Sequence, residues 1–292
     1  MTERIIEISE TAASLSLENR LFKAVFPDKR EITIPVAEIQ CLILSNPAVR
    51  ISGALLAALA ENKAAVVVSG SDRMPTAIQL PLAGNYLQSE RFRAQISASR
   101  PLNKRLWQRV VTAKIKNQAA LLLERCGDDH GLTVLSGKVA SGDTGNLEAR
   151  AAVIYWKYLF SVSFVRDRNA ADNNILLNYG YAVLRAMTAR ACCAAGLHPT
   201  FGINHHNRYD AFCLADDLME PYRPVVDKAV CLLNPDNLEI SKLSPQLRIE
   251  ILKALSDKID TSDGRWSLTD RLRISAEQIA NSFQAGEALL TY

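Results

Sequence analysis

The chain has 292 residues, 48% of them hydrophobic and 22% charged, with 34 Lys and Arg against 31 Asp and Glu for a formal charge of +3. This composition suits a globular protein with a sizeable core and excludes a disordered or fibrous chain, and the near-balance of charge means that a polyanion partner has to be sought in local clusters. No run of about 18 apolar residues occurs, the opening MTERIIEISE lacks the apolar stretch of a secretory signal, and the six cysteines include no C-x-x-C pair, so the expectation is a cytoplasmic protein without a membrane span and with reduced, packed thiols.

Residues 4 to about 82 alternate in short runs. Leu15 and Leu17 fall between Ser14, Ser16 and Glu18, and Ile32, Ile34 and Val36 between Glu31, Thr33 and Pro35, which predicts half-buried strands. Leu42-Ile43-Leu44 and Val66-Val67-Val68 predict more fully buried strands, with a short helix over Ser52–Glu61 between them and Ser52 as its N-cap. Pro75, Pro81 and Gly84 then punctuate the chain, placing a domain boundary near residue 85. Beyond Tyr86 apolar residues recur three and four apart, as in Leu106, Val110 and Ala113, and predict helices separated by loops at 126–131, 141–145, 166–172 and 198–202. Ser244–Ile259 opens with Ser-Pro and predicts a further amphipathic helix; Gly264-Arg-Trp266 reads as a turn or a partner contact. The expected fold class is therefore α+β, with a small β domain at 1–85 and a larger all-α domain at 86–292.

Three groups of residues carry chemistry. The stretch 91–116 contains Arg91, Arg93, Arg100, Lys104, Arg105, Arg109, Lys114 and Lys116 and no acidic residue. Solvated helices ordinarily mix charges to gain i,i+4 pairs, so either an external polyphosphate or acidic groups elsewhere in the fold must answer these cations. Arg150, Lys157, Arg166 and Arg168 are candidates to extend the same surface. Trp107 and Phe92 within the stretch suit either base stacking or the apolar face of a helix.

The second group lies in GINHHNRYDAFCLADDLMEPYRPVVD, residues 202–227. If Asp217 and Glu220 share a helix, their i,i+3 spacing sets both carboxylates on one face, an unfavourable arrangement unless a cation lies between them; the competing reading is acidic complement to a helix start, which fits Asp216 and Asp217. Two of the four histidines, His205 and His206, stand just before these acids, as metal donors or as loop-stabilising groups. Imidazole with carboxylates suits Mn²⁺ or Mg²⁺ better than a structural zinc. Third, Glu148 opens an apolar helix after the loop Ser141-Gly-Asp-Thr-Gly145, as a helix cap or as a carboxylate with a specific partner.

Asn146-Leu-Glu148-Ala-Arg-Ala with Tyr155-Trp156, His205, and Asp217-Leu-Met-Glu220-Pro-Tyr-Arg-Pro with Asp227 together resemble the CRISPR-associated protein one family, the integrase of CRISPR adaptation. The resemblance covers the chain end to end and implies an N-terminal β-sandwich followed by a helical catalytic domain. It places the metal ligands on Glu148, His205 and Glu220, with Asp217 at an acidic position lining the same site; many members carry Asp where Glu220 stands, and His206 matches no ligand. The paired histidines resemble the branch that accompanies single-effector, type II systems.

The activity implied is that of a metal-dependent DNA endonuclease and integrase, joining DNA 3′-hydroxyl ends to a CRISPR repeat by transesterification with Mg²⁺ or Mn²⁺. The implied partners are DNA, a second copy in a homodimer, the small second adaptation protein, and the single-effector CRISPR nuclease. Sequence leaves two alternatives: a stand-alone structure-selective nuclease using the same ligands with water as nucleophile, and a non-catalytic DNA-binding scaffold whose acids serve helix dipoles.

Overall fold

The computed structural model describes residues 4–71, 74–81, 83–161, 163–240, 242–261 and 264–292, so the first three residues of the stretch read for a signal lie outside it. The strands are β1 (Arg4–Ile8), β2 (Ser14–Glu18), β3 (Leu21–Val25), β4 (Glu31–Pro35), β5 (Ile39–Leu44), β6 (Arg50–Ile51), β7 (Ala65–Ser69) and β8 (Pro75–Gln79), with helix α1 (Gly53–Glu61) before β7. They form two four-stranded sheets, ordered β4-β3-β2-β6 and β1-β5-β7-β8. In the second, β1, β5 and β7 are parallel and β8 closes one edge antiparallel. The predicted α1 is capped as expected, Ser52 Oγ accepting from Leu55 N at 3.3 Å.

Period-two alternation sorts the side chains of the central strand. Leu42 and Leu44 of β5, with Val66 of β7, join Leu15, Phe22 and Ala24 in a core between the two sheets. Cys41, Ile43, Ala65 and Val67 point the other way, into the core of the helical layer. The continuous apolar run at 42–44 thus reflects a strand covered on both faces.

The helical layer comprises α2 (Gln88–Ile96), α3 (Arg100–Cys126), α4 (Leu132–Ser136), α5 (Leu147–Leu159), α6 (Asn173–Ala194), α7 (Cys213–Met219), α8 (Arg223–Leu233), α9 (Pro245–Ser256) and α10 (Leu268–Ala285). Ser99 caps α3 and Ser244 caps α9. This part is not all-α as expected: Lys258–Thr261 (β9) and Gly264–Ser267 (β10) pair antiparallel, so Gly264-Arg-Trp266 belongs to a small hairpin. Gly84 closes the connection between the layers, where a Cβ would meet the Cys193 carbonyl oxygen at 2.2 Å. Among the described residues no helix is long and apolar enough to cross a membrane.

Candidate active site

The site is assembled from α3, α5, the loop before α7 and a single 3-10 turn, Glu220–Tyr222, between α7 and α8. At the start of α5 the sequence left Glu148 two roles, and the structure separates them. Asp143 serves the free amides of the helix start, its Oδ1 accepting from Leu147 N at 2.9 Å and its Oδ2 from Glu148 N at 3.0 Å. The Glu148 carboxylate is thereby free to reach across to α3, where Lys114 Nζ donates to Glu148 Oε1 at 2.7 Å.

The same ammonium lies 2.6 Å from Glu220 Oε2. Glu220 is 5% exposed, and burial alone would raise its pKa. The Arg223 and Lys114 cations outweigh burial, with a smaller contribution from His205, and hold the carboxyl down at about 2. Arg223 Nε contacts Glu220 Oε1 at 2.9 Å, and its guanidinium sits over the Tyr181 ring, 4.5 Å from the centroid. Burial depresses the Lys114 pKa, yet Glu220 and Glu148 together keep it raised. Arg223 likewise stays charged against burial through Glu220.

Asp217 and Glu220 do not share a cation, although the helical backbone runs on from α7 through Glu220 into the 3-10 turn. Asp217, fully buried, turns instead toward the loop carrying the histidines. Its Oδ2 accepts from Ile203 N at 2.6 Å and Asn204 N at 2.9 Å, and its Oδ1 pairs with His205 Nδ1 at 2.5 Å. Gly202 lets the loop close this tightly, since a Cβ there would fall 2.9 Å from Asp217 Oδ2 and 2.3 Å from the His205 carbonyl oxygen. The Asp217 hydrogen bond raises the His205 pKa, with further raising from Glu220 and Glu148 and lowering by burial. Trp107 of α3 supports the imidazole edge-on, ring centroids 5.7 Å apart. Asp217, which the resemblance puts at an acidic position lining the metal site, stands behind His205, fixing its ring and leaving Nε2 directed away from the carboxylate. His206 is exposed, and Asp216 forms a two-point pair with Arg185 at 2.6 and 2.5 Å.

The basic stretch divides. Arg91 is 8% exposed and donates to Ala195 O at 2.6 Å and Glu277 Oε2 at 2.9 Å, so it fastens α2 to the helical core and is not available to DNA. Lys114 is likewise committed to the two glutamates. Arg109 is exposed, but one of its guanidinium nitrogens donates to the Leu290 carbonyl at 2.7 Å, beside a groove between α3, α8 and the C-terminal tail. Arg93, Arg100, Lys104, Arg105 and Lys116 are exposed. Trp107, 3% exposed, belongs to the core rather than to a stacking surface, and Phe92 packs against His198 with centroids 5.5 Å apart.

As the side chains stand, no three His, Cys, Asp or Glu groups among the described residues are close enough to hold one ion. The donor chemistry nevertheless fits a hard divalent cation: two carboxylates from different elements already converge on a single cationic group, the Lys114 ammonium, with an oriented imidazole nearby. Sequence reading missed Lys114, Trp107 and Asp143 in these roles. Only Asp143 had a local signal, as an acid in the loop just before a helix start.

Two carboxylates and an imidazole beside an exposed cationic helix are the equipment of phosphoryl-transfer enzymes that act on nucleic acid. The sequence profile of the CRISPR associated protein Cas1 family matches residues 6–246, and the chain belongs to that family. It is 35% identical over 289 residues, 98% of this chain and 92% of the other, to the CRISPR-associated endonuclease Cas1 of Neisseria meningitidis serogroup C (strain 8013). Among solved structures it resembles a casposase bound to integration product, with a TM-score of 0.77 and 19% identity over 98% of this chain and 92% of that one. It also resembles a Cas6-RT-Cas1–Cas2 complex, TM-score 0.76 and 18% identity, over 100% of this chain and 36% of that one.

Proposed function

We propose that this protein is a metal-dependent DNA endonuclease and integrase of CRISPR adaptation, which joins the 3′-hydroxyl ends of a DNA fragment to a phosphodiester of the repeat by transesterification. The observation that carries this reading is the convergence of Glu148 and Glu220 on one cation next to an imidazole oriented by a buried carboxylate. Glu148, His205 and Glu220 would hold Mg²⁺ or Mn²⁺, which when bound neutralises charge on the phosphoryl oxygens and lowers the pKa of the attacking hydroxyl. Asp217 keeps the His205 ring in the orientation that presents Nε2. Arg223, braced on Tyr181, keeps Glu220 ionised and aimed. Arg93, Arg100, Lys104, Arg105 and Lys116 hold the DNA backbone by charge with little reading of sequence.

Support for integration comes from the likeness to a casposase caught with its integration product, and support for a small second adaptation protein from the likeness to a complex that contains Cas2. The proposed assembly is a homodimer in the cytoplasm that works with that second protein and, on the type II reading, with the single-effector nuclease. Residues 1–85 are proposed as the dimerising unit and 86–292 as the catalytic one.

Replacing Glu148 with Ala tests the site. Strand transfer and cleavage dependent on Mn²⁺ or Mg²⁺ should disappear while DNA affinity stays within a few-fold of wild type. Undiminished activity would remove Glu148 from the ligand set. Labelled duplex with free 3′ ends, supplied with a supercoiled target, separates joining from hydrolysis.

A further inference from the structure

The cation between Glu148 and Glu220 comes from the protein itself. Lys114 reaches the pair from the middle of α3, its ammonium 2.7 Å from one carboxylate and 2.6 Å from the other, with the side chain only 13% exposed. Glu220 has a second cation, Arg223, contacting its other oxygen at 2.9 Å. The two cations differ in freedom. Arg223 is stacked on Tyr181, whose hydroxyl is held by the buried Asp227, whereas Lys114 is a flexible four-carbon stem ending in a point charge. With Lys114 and Arg223 both in place, the two glutamates are neutralised before any other ion arrives. A divalent ion added to that arrangement meets an ammonium at the position the two carboxylates share, and like charges in a poorly solvated site repel strongly.

We infer that Lys114 is an internal competitor for the divalent ion, leaving the Glu148–Glu220 pair when a DNA phosphate takes its ammonium, so that metal binding and DNA binding are coupled through this one side chain. The inference rests on the metal-dependent reading of the site. Of the exposed cations on α3, Arg100 and Lys104 lie about 40° and about 80° round the helix from Lys114, so DNA held by these two brings phosphate to the side from which Lys114 enters. An ammonium that moves from carboxylate to phosphate keeps an anionic partner throughout, and the carboxylate pair it leaves, with Arg223 still on Glu220, carries one more uncompensated negative charge and binds the ion more tightly. Reciprocity requires that the ion tighten DNA binding by the same factor. The arrangement keeps the site from holding an ion tightly when no DNA is present.

Free Mn²⁺ is counted by electron paramagnetic resonance during titration of wild type, Lys114→Met and Lys114→Gln, each with and without a duplex whose 3′ ends lack the hydroxyl. In wild type the duplex should tighten Mn²⁺ binding by about 5–150-fold, the usual span of coupling between two sites. Without DNA, both variants should bind Mn²⁺ at least about tenfold more tightly than wild type, and the duplex should add little further. Melting curves accompany the titration: the variants, in which Glu148 loses its cation and Glu220 keeps only Arg223, should melt lower than wild type without metal and gain more from Mn²⁺. If Mn²⁺ binds wild type but neither variant binds it more tightly, Lys114 is a structural partner of the glutamates and the inference falls while the metal reading stands. If Mn²⁺ binds none of the three with or without DNA, and Glu148→Gln changes nothing, the metal reading itself fails. Should Lys114→Met not fold, the Lys114→Gln comparison and the wild-type coupling still decide.

Discussion

Asp217 and Glu220 are three residues apart, both buried and both acidic, and they act on different partners. Asp217 receives three backbone amides, those of Ile203, Asn204 and His205, and the His205 ring, whereas Glu220 faces Lys114 and Arg223. Replacing Asp217 with Asn removes the charged acceptor behind His205 and turns an amide donor toward backbone N–H groups. Mn²⁺ affinity and strand transfer should fall by about 10–100-fold, as is usual when the partner that orients a ligand is lost. Full activity in this variant, with melting unchanged, would mean that His205 needs no fixing. At this scale Glu148, His205 and Glu220 stand out in the sequence, because a helix start, a His-rich loop and an acid-Pro turn leave local traces. It was not legible for Lys114 and Arg91, which look like their six neighbours in the basic stretch. What distinguishes them is an acidic partner 34 residues away in one case and 186 in the other, and no local pattern reports such a pairing.

At the scale of elements, α3 carries most of the exposed charge that survives this sorting, with Arg93 on α2. Lys104→Glu with Arg105→Glu should weaken DNA binding and flatten the dependence of log affinity on log salt by about 0.9 for each phosphate no longer neutralised. Arg91→Met on α2 should leave that slope alone and instead cost about 1–3 kcal/mol of stability, since it strands the Ala195 carbonyl. Equal slopes for the double variant and wild type would return the whole stretch to a structural role.

A second element-scale device joins α5, α6 and α8: Tyr155 Oη and Tyr181 Oη both donate to Asp227, which is 1% exposed. Burial pushes its pKa from 3.8 up to about 6, against the lowering by the two tyrosines and by Arg223 and Lys114. The folded protein therefore holds this proton more tightly than the unfolded chain. The resulting stability is fully present below pH 3.8 and is lost as pH rises through about 6. Wild type minus Asp227→Asn, measured by urea unfolding, should accordingly become less favourable to wild type across that window. A difference that grows with pH would mean that Asp227 is held ionised.

At the scale of the whole molecule, the sequence marks a change of architecture near residue 85 but does not report how the two parts hold together. Alternation located the strands, yet β5 and β7 are covered on both faces, and a fully buried run carries no signal of which neighbour lies on which side. The β9–β10 hairpin was missed for a related reason: four-residue strands are too short to show a period. The structure ties the parts by more than apolar contact. Arg248 of α9, 1% exposed, pairs with Glu7 of β1 at 3.0 Å and with Glu10 at 2.8 Å, and Tyr179 of α6 donates to the same Glu7 carboxylate. A shared core and a buried ion pair spanning the boundary predict unfolding as one cooperative unit. The three tryptophans, Trp107, Trp156 and Trp266, all lie beyond residue 85, so fluorescence follows the helical part alone while circular dichroism follows the whole chain. The two denaturation curves should coincide in wild type. Arg248→Met, which leaves the Glu7 charge buried without its cation, should cost about 3–5 kcal/mol, and adding Glu7→Gln should recover part of that loss. Separated transitions in wild type would show instead that residues 1–85 and 86–292 fold independently, with the Cys41, Ile43, Ala65 and Val67 face acting as a docking surface between two self-sufficient domains rather than as part of one core.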